Sequence, residues 1–329
     1  MFRRRALRRR LALAGAPPLP DEQLRRLARA VDAGAAGGEC APVAGGAELQ
    51  VRLAAARAYR YPDLREPAEL RRLPHCTDRL CCNPYHWSRL CKPETPPPPY
   101  SRIAMEEFKP KEQGESKGDA RRTDHERLPT GSQFRQSWES EWCRLAYWEL
   151  AQRVGRQFGV RGRAVDVFGG GGGAGGAARR GLCLDALAPD APAGPTAPAA
   201  PTAPAHQEQV RKTRAKIGLG VTLALEADGV WLYNRSQAPV FASSPALDAA
   251  AAKALLVWRV APGHCLRVFD PRRPPAPTPA PAPRAPLGPV DARSVRISFA
   301  KGWGPKYSRR DVTACPCWLE VLLAPPTPS

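Results

Sequence analysis

The stretch from Ser294 to Leu323 constrains the fold more strongly than any other part of the chain. Apolar and polar residues alternate from Ser294 to Phe299, a period of two that predicts a half-buried β-strand. The sequence Gly302-Trp303-Gly304-Pro305 then forces a sharply shaped loop. The apolar run from Trp318 to Leu323 predicts a second strand, so we expect a rigid loop held between two buried strands.

The loop between the two strands is strongly basic. Its charged side chains and one tyrosine are Lys301, Lys306, Tyr307, Arg309 and Arg310. A rigid cationic loop is suited to grip an anionic group, because arginine forms bidentate charge-assisted hydrogen bonds and lysine adds a point charge. The alternative is a solvated charged hairpin, and charge alone does not separate the two.

Similar alternation predicts a β-sandwich for the second half of the chain. We expect a strand from Leu145 to Tyr147, a hairpin that starts at Val221 and turns at Ala227-Asp228-Gly229, and a strand from Leu266 to Phe269. Ala250 to Leu256 has the composition of a short helix. Many strands with few helices are typical of a sandwich.

The first part of the chain predicts a small domain behind a basic arm. Residues 1–20 are rich in arginine and are predicted to be disordered. Asp21 is placed to cap a helix, with Arg25, Arg26 and Arg29 on its polar face. The apolar face of that helix is formed by Leu24, Leu27, Ala28 and Val31. After a Gly/Ala linker, the sequence from Leu49 to Cys91 predicts a compact unit that contains cysteine and histidine.

Proline and glycine tracts divide the rest of the chain, which has 38 prolines and 28 glycines among 329 residues. Residues 92–137 are proline-rich and then charged, so they are predicted to be disordered. Two low-complexity insertions, 169–205 and 271–289, should be flexible. The predicted domains are therefore a small domain at 21–91, a larger domain at 138–324 and a tail at 325–329.

The formal net charge of +19 and the isoelectric point near 10.0 imply an acidic partner. A nucleic acid, a phosphorylated protein and an anionic membrane surface all fit. No stretch approaches the ~18 consecutive apolar residues of a membrane span, so we expect no membrane insertion. Leu11 to Ala16 is too short for the apolar core of a secretory signal, and the ten cysteines therefore suggest reduced thiols or metal ligands.

The identity of the residues narrows the choice among these acidic partners. SVRISFAKGWGPKYSRR followed by CPCWLEVLL closely resembles the end of the C-terminal (MH2) domain of Smad proteins, the intracellular effectors of TGF-β and BMP receptors. WCRLAYWELAQRVGRQF, VRKTRAKIGLGVTL and DGVWLYNRS occur upstream in that family's order. The resemblance implies a mainly β fold with some α: an MH2-like β-sandwich with a loop-helix cap at one end and a three-helix bundle at the other.

The same resemblance implies a role for the basic loop. In receptor-activated and common Smads, residues at the positions of Lys301 and Arg309 help to hold a phosphoserine tail. In inhibitory Smads, a basic surface of this kind is understood to engage the phosphorylated type I receptor. The basic helix that would add to its field contains Arg211, Lys212, Arg214 and Lys216. The positions that depart from the usual family residues are Lys306, Arg310 and Asp311.

The sequence CCNPYH resembles the zinc site of the Smad N-terminal (MH1) domain, so residues 21–91 are predicted to form a degenerate, small α/β module of that kind. Carried over by position, Cys76, Cys81 and His86 match three of the zinc ligands. The fourth zinc ligand of the family is taken to be a cysteine shortly before its sequence R-W-P-D-L. The corresponding position in this chain is Ala56. Zinc binding is left open, and the candidates to complete the shell are His75, Cys82 and Cys91.

Pro97-Pro98-Pro99-Tyr100 is a PPxY motif. A polyproline II segment is already extended, so docking it in an aromatic groove costs little entropy. Its position after CCNPYHWSRLC resembles that in inhibitory Smads, where the motif binds WW-domain ubiquitin ligases of the Smurf type. The expected contacts are Pro97, Pro98 and Tyr100.

DNA recognition is expected to be weak or non-specific. The stretch from Leu49 to Ala56 is too short for the hairpin with which DNA-reading Smads enter the major groove. Arg52 and Arg57 remain as candidate phosphate contacts, and binding through them would be salt-sensitive.

These features predict a non-catalytic inhibitory Smad of the cytoplasm and nucleus. Its expected partners are phosphorylated type I BMP/TGF-β receptors, receptor-regulated and common Smads, and WW-domain ligases. The sequence finishes in LLAPPTPS rather than in the Ser-Ser-x-Ser that receptors phosphorylate, as expected of an antagonist. No nucleophile–base pair or paired carboxylates mark an active site. The alternatives are a DNA-binding transcription factor or corepressor, and a divergent copy without function.

Overall fold

The N-terminal module, residues 2–91, begins with three helices: α1 (Phe2–Leu13), α2 (Asp21–Ala33) and α3 (Glu48–Tyr59). Two short antiparallel strands follow, β1 (Leu70–Arg72) and β2 (Trp87–Leu90).

The structure is a computed structural model that describes residues 2–36, 39–91, 141–170, 181–187, 204–244, 247, 257–272, 293–304 and 307–325. None of the helices in these ranges has the length and apolar character required to cross a membrane.

Two expectations for the start of the chain were wrong. Phe2–Leu13 is not a disordered arm, because Leu7 and Leu11 give α1 an apolar edge that packs into the helical core with Leu24 of α2. Asp21 does not cap α2, since Pro20 occupies the N-cap position and the Asp21 carboxylate instead pairs with an arginine of α1. The helix itself and its buried Leu24 are as predicted.

The C-terminal module, described within residues 141–325, is a β-sandwich as predicted. Its strands are β3 (Cys143–Glu149), β4 (Gln152–Val160), β5 (Ala164–Phe168), β6 (Gly181–Cys183), β7 (Val221–Glu226), β8 (Gly229–Asn234), β9 (Val240–Ser243), β10 (Trp258–Val260), β11 (His264–Phe269), β12 (Ser294–Phe299) and β13 (Trp318–Leu323). One sheet has the order β10-β9-β12-β13-β3-β4, and the other has the order β1-β2-β11-β8-β7-β5-β6. Inward residues of both sheets, including Leu145, Leu232 and Ile297, share one core.

The predicted strand pairs around the loops are confirmed. β7 and β8 form an antiparallel hairpin in which a Cβ at Gly229 would lie 2.1 Å from the Phe269 carbonyl oxygen, so the close approach of β11 requires glycine there. β12 and β13 pair antiparallel with Ile297 opposite Leu319. Helix α4 (Pro204–Arg214) contains most of the predicted basic helix, whereas the predicted helix at 250–256 lies outside the described residues.

Part of the predicted flexible insertion at 169–205 is ordered. β6 pairs in parallel with β5, and Leu184–Ala186 forms a 3-10 turn. Leu182 and Leu184 are buried because these apolar residues extend an edge of the seven-stranded sheet. Residues 92–137, with the PPxY motif, and most of the insertion at 271–289 lie outside the described residues.

The two modules share one sheet, a feature that the sequence did not indicate. β2 pairs in parallel with β11, so the N-terminal hairpin adds two strands to the C-terminal module. The Arg71 guanidinium donates to Glu226 and, at 3.0 Å, to Asp228, and it lies 3.6 Å from the Trp231 ring centroid. The described residues of the segments 1–91 and 140–329 therefore form one compact unit.

We expect Arg71→Ala to destabilise this junction by about 2–3 kcal/mol, because it removes charge-assisted hydrogen bonds and leaves two carboxylates without their cation. Urea unfolding followed by tryptophan fluorescence measures the change, with Trp231 as a reporter beneath the guanidinium. Arg72→Ala is the matched control: its side chain has no hydrogen bond or ion pair to another described residue, so a change within ~0.5 kcal/mol is expected. Equal changes in the free energy of unfolding for the two variants would contradict a stabilising role of Arg71 at this junction.

Candidate functional site

Four side chains of the N-terminal module converge on one point. Cys40 follows α2, Cys76 follows β1, Cys81 lies in the next loop, and His86 ends the 3-10 turn Pro84–His86. An isolated β-bridge between Pro42 and Cys81 brings the two distant loops together. The ligand atoms of the four residues all lie within 4.8 Å of one another.

Three of the six distances between these donors match those expected around a tetrahedral zinc ion. The Sγ atoms of Cys40 and Cys76 are 3.7 Å apart, and His86 Nδ1 lies 3.6 Å from Cys40 Sγ and 3.5 Å from Cys81 Sγ. Zinc–sulfur bonds of about 2.3 Å and zinc–nitrogen bonds of about 2.0–2.1 Å at tetrahedral angles require separations of about 3.8 Å and 3.6 Å. Three thiols and one imidazole are also a ligand set that structural zinc prefers.

The electrostatics of the cluster favour a thiolate at one position. Hydrogen bonding by Cys76, and further by His86 and the Ala41 amide, lowers the pKa of Cys81 despite its burial. Hydrogen bonding to Cys81, together with burial, raises the pKa of Cys76, because a second negative charge beside the first is unfavourable. A divalent cation would remove that penalty, so the cluster is suited to hold one.

The assignment of the fourth ligand to Ala56 was wrong. Ala56 is fully buried in the middle of α3, whereas Cys40, which the sequence placed in a linker, supplies the missing thiol. His75 packs edge-on against the His86 ring at 5.1 Å. The Cys82 thiol points to the Glu48 carbonyl, and burial raises its pKa to about 12. The site is therefore complete within the described residues rather than degenerate.

Packed aromatic side chains and a backbone hydrogen bond hold the basic loop in shape. Trp303 is 2% exposed and packs in a cluster with Phe241 and Trp318. The Tyr307 ring lies edge-on to Phe241 at 5.5 Å, and the Gly304 amide donates to the Arg309 carbonyl at 2.8 Å. The shaped loop expected between β12 and β13 is therefore present.

The cations of this loop remain available to a ligand. Lys301, Arg309 and Arg310 have no side-chain hydrogen bond or ion pair to another described residue, and Arg310 is exposed. Lys306 lies outside the described residues. The loop thus presents its charge without neutralising it internally.

The basic helix lies at the same end of the sandwich, linked to the loop through the β3–β4 turn. Arg214 pairs with Glu149, and the next residue, Leu150, donates its amide to the Cys315 carbonyl at 3.2 Å. A cleft of 590 Å³ separates this turn from α4. Leu150 (φ 54°) and Ala300 (φ 58°) are the non-glycine residues with positive φ in the described chain, so backbone strain is concentrated here.

The cations of α4 are less available than the sequence suggested. Arg211 donates twice to Glu208 at 2.7 Å, and Lys212 lies 3.3 Å from the same carboxylate. Lys216, just beyond the helix, is exposed. The helix therefore contributes mainly a positive field, while direct donors come from the loop.

The arginines considered for DNA contact are engaged inside the module. Residues 48–59 form α3, and Arg52 donates to the Arg79 carbonyl at 2.8 Å while lying 4.1 Å from the Trp87 ring centroid. Arg57 donates to the Leu64 carbonyl at 2.7 Å. Backbone carbonyls engage part of each guanidinium, which lowers the availability of both side chains to a ligand, and phosphate contact by Arg52 and Arg57 stays a prediction.

Comparison with known proteins identifies both modules. The MH1 domain family matches residues 19–91, and the MH2 domain family matches residues 140–324. Mothers against decapentaplegic homolog 6 of Gallus gallus is 39% identical over 93% of this chain and 72% of its own length. Homolog 7 of Homo sapiens is 36% identical over 81% of this chain and 62% of its own length, and dwarfin sma-3 of Caenorhabditis elegans is 28% identical over 82% and 71%.

Both domains, their order along the chain and the similarity to homologs 6 and 7 agree with the resemblance seen in the sequence. The matches cover the Cys/His cluster and the basic loop alike. The chain belongs to the Smad family, and it is consistent with an inhibitory Smad.

Proposed function

We propose that this chain is a non-catalytic antagonist of BMP/TGF-β signalling whose C-terminal module occupies the phosphorylated type I receptor or a receptor-regulated Smad. The observation that carries this proposal is the anchored basic loop, in which Lys301 and Arg309 have no internal partner among the described residues. Phosphate is the anion that such a pair prefers, since arginine binds it bidentately. The relatives are signalling and transcription proteins, which supports a role without catalysis.

Competition is the test of this antagonism. Increasing amounts of the intact chain are added to a phosphorylated type I receptor already bound to a receptor-regulated Smad. We expect the Smad to be displaced, because both proteins would present a basic loop to the same phosphates. Failure to displace it at saturation, with the chain itself bound to the receptor, would refute competition while leaving binding intact.

We further propose that the PPxY motif recruits a WW-domain ubiquitin ligase of the Smurf type. Tyr100→Ala should weaken binding to an isolated WW domain by at least about thirty-fold, the usual loss when an aromatic anchor is truncated. Fluorescence anisotropy of the intact chain with the WW domain measures this. Pro96→Ala, one residue before the motif, is the control and should bind like the wild type. A similar loss from both substitutions would contradict the assignment.

Family membership also supports three further proposals. We propose that zinc, held by the four-residue cluster, stabilises the N-terminal module and thereby the sheet shared with the C-terminal module. Common Smads are further candidate partners of the basic loop, by the same phosphate chemistry. We also propose that the protein acts in both the cytoplasm and the nucleus, because its proposed partners are receptors and Smads.

A further inference from the structure

One exposed serine lies among the cations of the basic loop. Ser308 is exposed, whereas the other serines that the structure describes within residues 141–325 are all buried. Those buried serines are Ser236, Ser243, Ser244, Ser294 and Ser298. The Ser298 hydroxyl, for example, donates to the Lys301 carbonyl at 2.8 Å and so supports the base of the loop. The Ser308 hydroxyl has no hydrogen bond to another described residue, so it is available for modification.

The loop presents Ser308 at a fixed position. The preceding Tyr307 ring lies edge-on to Phe241 at 5.5 Å, and the carbonyl of the following Arg309 accepts from the Gly304 amide at 2.8 Å. Ser308 itself belongs to neither a helix nor a strand. An enzyme can therefore bind the backbone at this serine without breaking a sheet.

The residues around Ser308 form a pattern that basophilic protein kinases, those that select basic substrates, recognise. Residues 301–311 contain four basic side chains and one acidic one, and Arg309 and Arg310 follow the serine directly. A kinase with an acidic substrate groove binds such a sequence by charge complementarity. Neither arginine has a side-chain hydrogen bond or ion pair to another described residue, so both are available to that groove.

We propose that Ser308 is a phosphorylation site for a basophilic serine/threonine kinase, and that its phosphate blocks receptor binding by the basic loop. The Ser308 Oγ attacks the γ-phosphorus of ATP, and the bond from that phosphorus to the oxygen bridging to ADP breaks. The electron pair of that bond leaves with ADP, and the hydroxyl proton passes to the catalytic base of the kinase. The products are phosphoserine and ADP.

The phosphate would act directly on the cations that are proposed to hold the receptor. A phosphoserine adds about −1.5 to −2 charge at neutral pH, and Ser308 is next to Arg309 in the chain. The modified loop would contain its own anion and would repel the phosphate of a partner, because like charges brought together are costly. This inference rests on the proposed capture of a phosphorylated receptor by the loop.

Treatment of the intact chain with the catalytic domain of protein kinase C and Mg-ATP tests the site, and tandem mass spectrometry locates the phosphate. A synthetic peptide of residues 301–311 is the unfolded reference. We expect phosphate on Ser308 in both samples. Modification of the peptide without modification of Ser308 in the intact chain would overturn the proposal, because the folded loop would then withhold the serine. An unmodified peptide would overturn the assignment to this class of kinase.

Titration calorimetry with the phosphorylated segment of a type I receptor, before and after kinase treatment of the intact chain, tests the effect. We expect phosphorylation to weaken binding at least about tenfold. Ser308→Ala, treated in the same way, should keep the affinity of the untreated chain. An equal loss in this variant would overturn the proposal, because another phosphorylated residue would then be responsible.

The same titrations separate this inference from the proposed function. Equal affinities of the treated and untreated wild type would overturn the inference alone, provided that the untreated chain prefers the phosphorylated receptor segment to the dephosphorylated one. If the untreated chain shows no such preference, the proposed function on which the inference rests is overturned.

Discussion

Replacing Cys40 with serine is expected to abolish zinc binding and to unfold most of the N-terminal module at a temperature at which the wild type is folded. Structural zinc contributes roughly 10–16 kcal/mol of apparent binding free energy in small modules at neutral pH. Loss of one of four ligands should therefore cost several kcal/mol, in the range typical of a lost metal. Zinc content by atomic emission and thermal unfolding by circular dichroism measure the two effects.

Cys82→Ser is the matched control for this variant. Cys82 is buried next to the ligand Cys81, but its thiol points to the Glu48 carbonyl, a contact that a serine hydroxyl can also make. We expect it to keep one zinc per chain. If Cys40→Ser retains its zinc and its midpoint while Cys82→Ser loses them, the ligand assignment is wrong.

Reversing the charge at Lys301 and Arg309 together is expected to abolish the preference for a phosphorylated partner. Truncating one member of a close charge pair costs about 2–5 kcal/mol, so a value near 3 kcal/mol corresponds to roughly 150-fold in affinity. Because neither side chain has a partner within the described residues, the stability of the protein should change by no more than ~0.5 kcal/mol. Titration calorimetry with the phosphorylated receptor segment measures the affinity.

The control for this variant makes the same change in net charge elsewhere on the module. Arg156→Glu with Arg163→Glu alters two exposed arginines, one on β4 and one just before β5. We expect only the modest loss due to long-range attraction, which added salt should remove. An equal loss in both double variants would show that net charge, rather than the loop, decides binding.

The sequence predicted features that depend on local periodicity. Alternation in β12 and the β7–β8 hairpin, the apolar run of β13, and the spacing of Leu24 and Leu27 in α2 correctly indicated their structure. The exception was α1, where a run of arginines concealed Leu7 and Leu11, the two residues that order the helix.

Features that depend on distant pairing were not predicted. Cys40 is 36 residues from Cys76 and lies in a Gly/Ala-rich stretch, so nothing local marks it as a ligand. Arg71 is 155 residues from Glu226. The sequence around Arg71 does not distinguish it from a solvent-exposed arginine, because its partner is known only once the strands of the sheet are paired. For the same reason, the available charge of Arg52 and α4 was overestimated before their acceptors were known.

The most direct test of the account compares one receptor in two states. The intact chain is titrated against the cytoplasmic segment of a type I receptor after phosphorylation, and again after phosphatase treatment of the same sample. Capture of phosphate by the loop predicts dissociation constants that differ by about tenfold or more. Equal dissociation constants before and after phosphatase treatment would contradict the account.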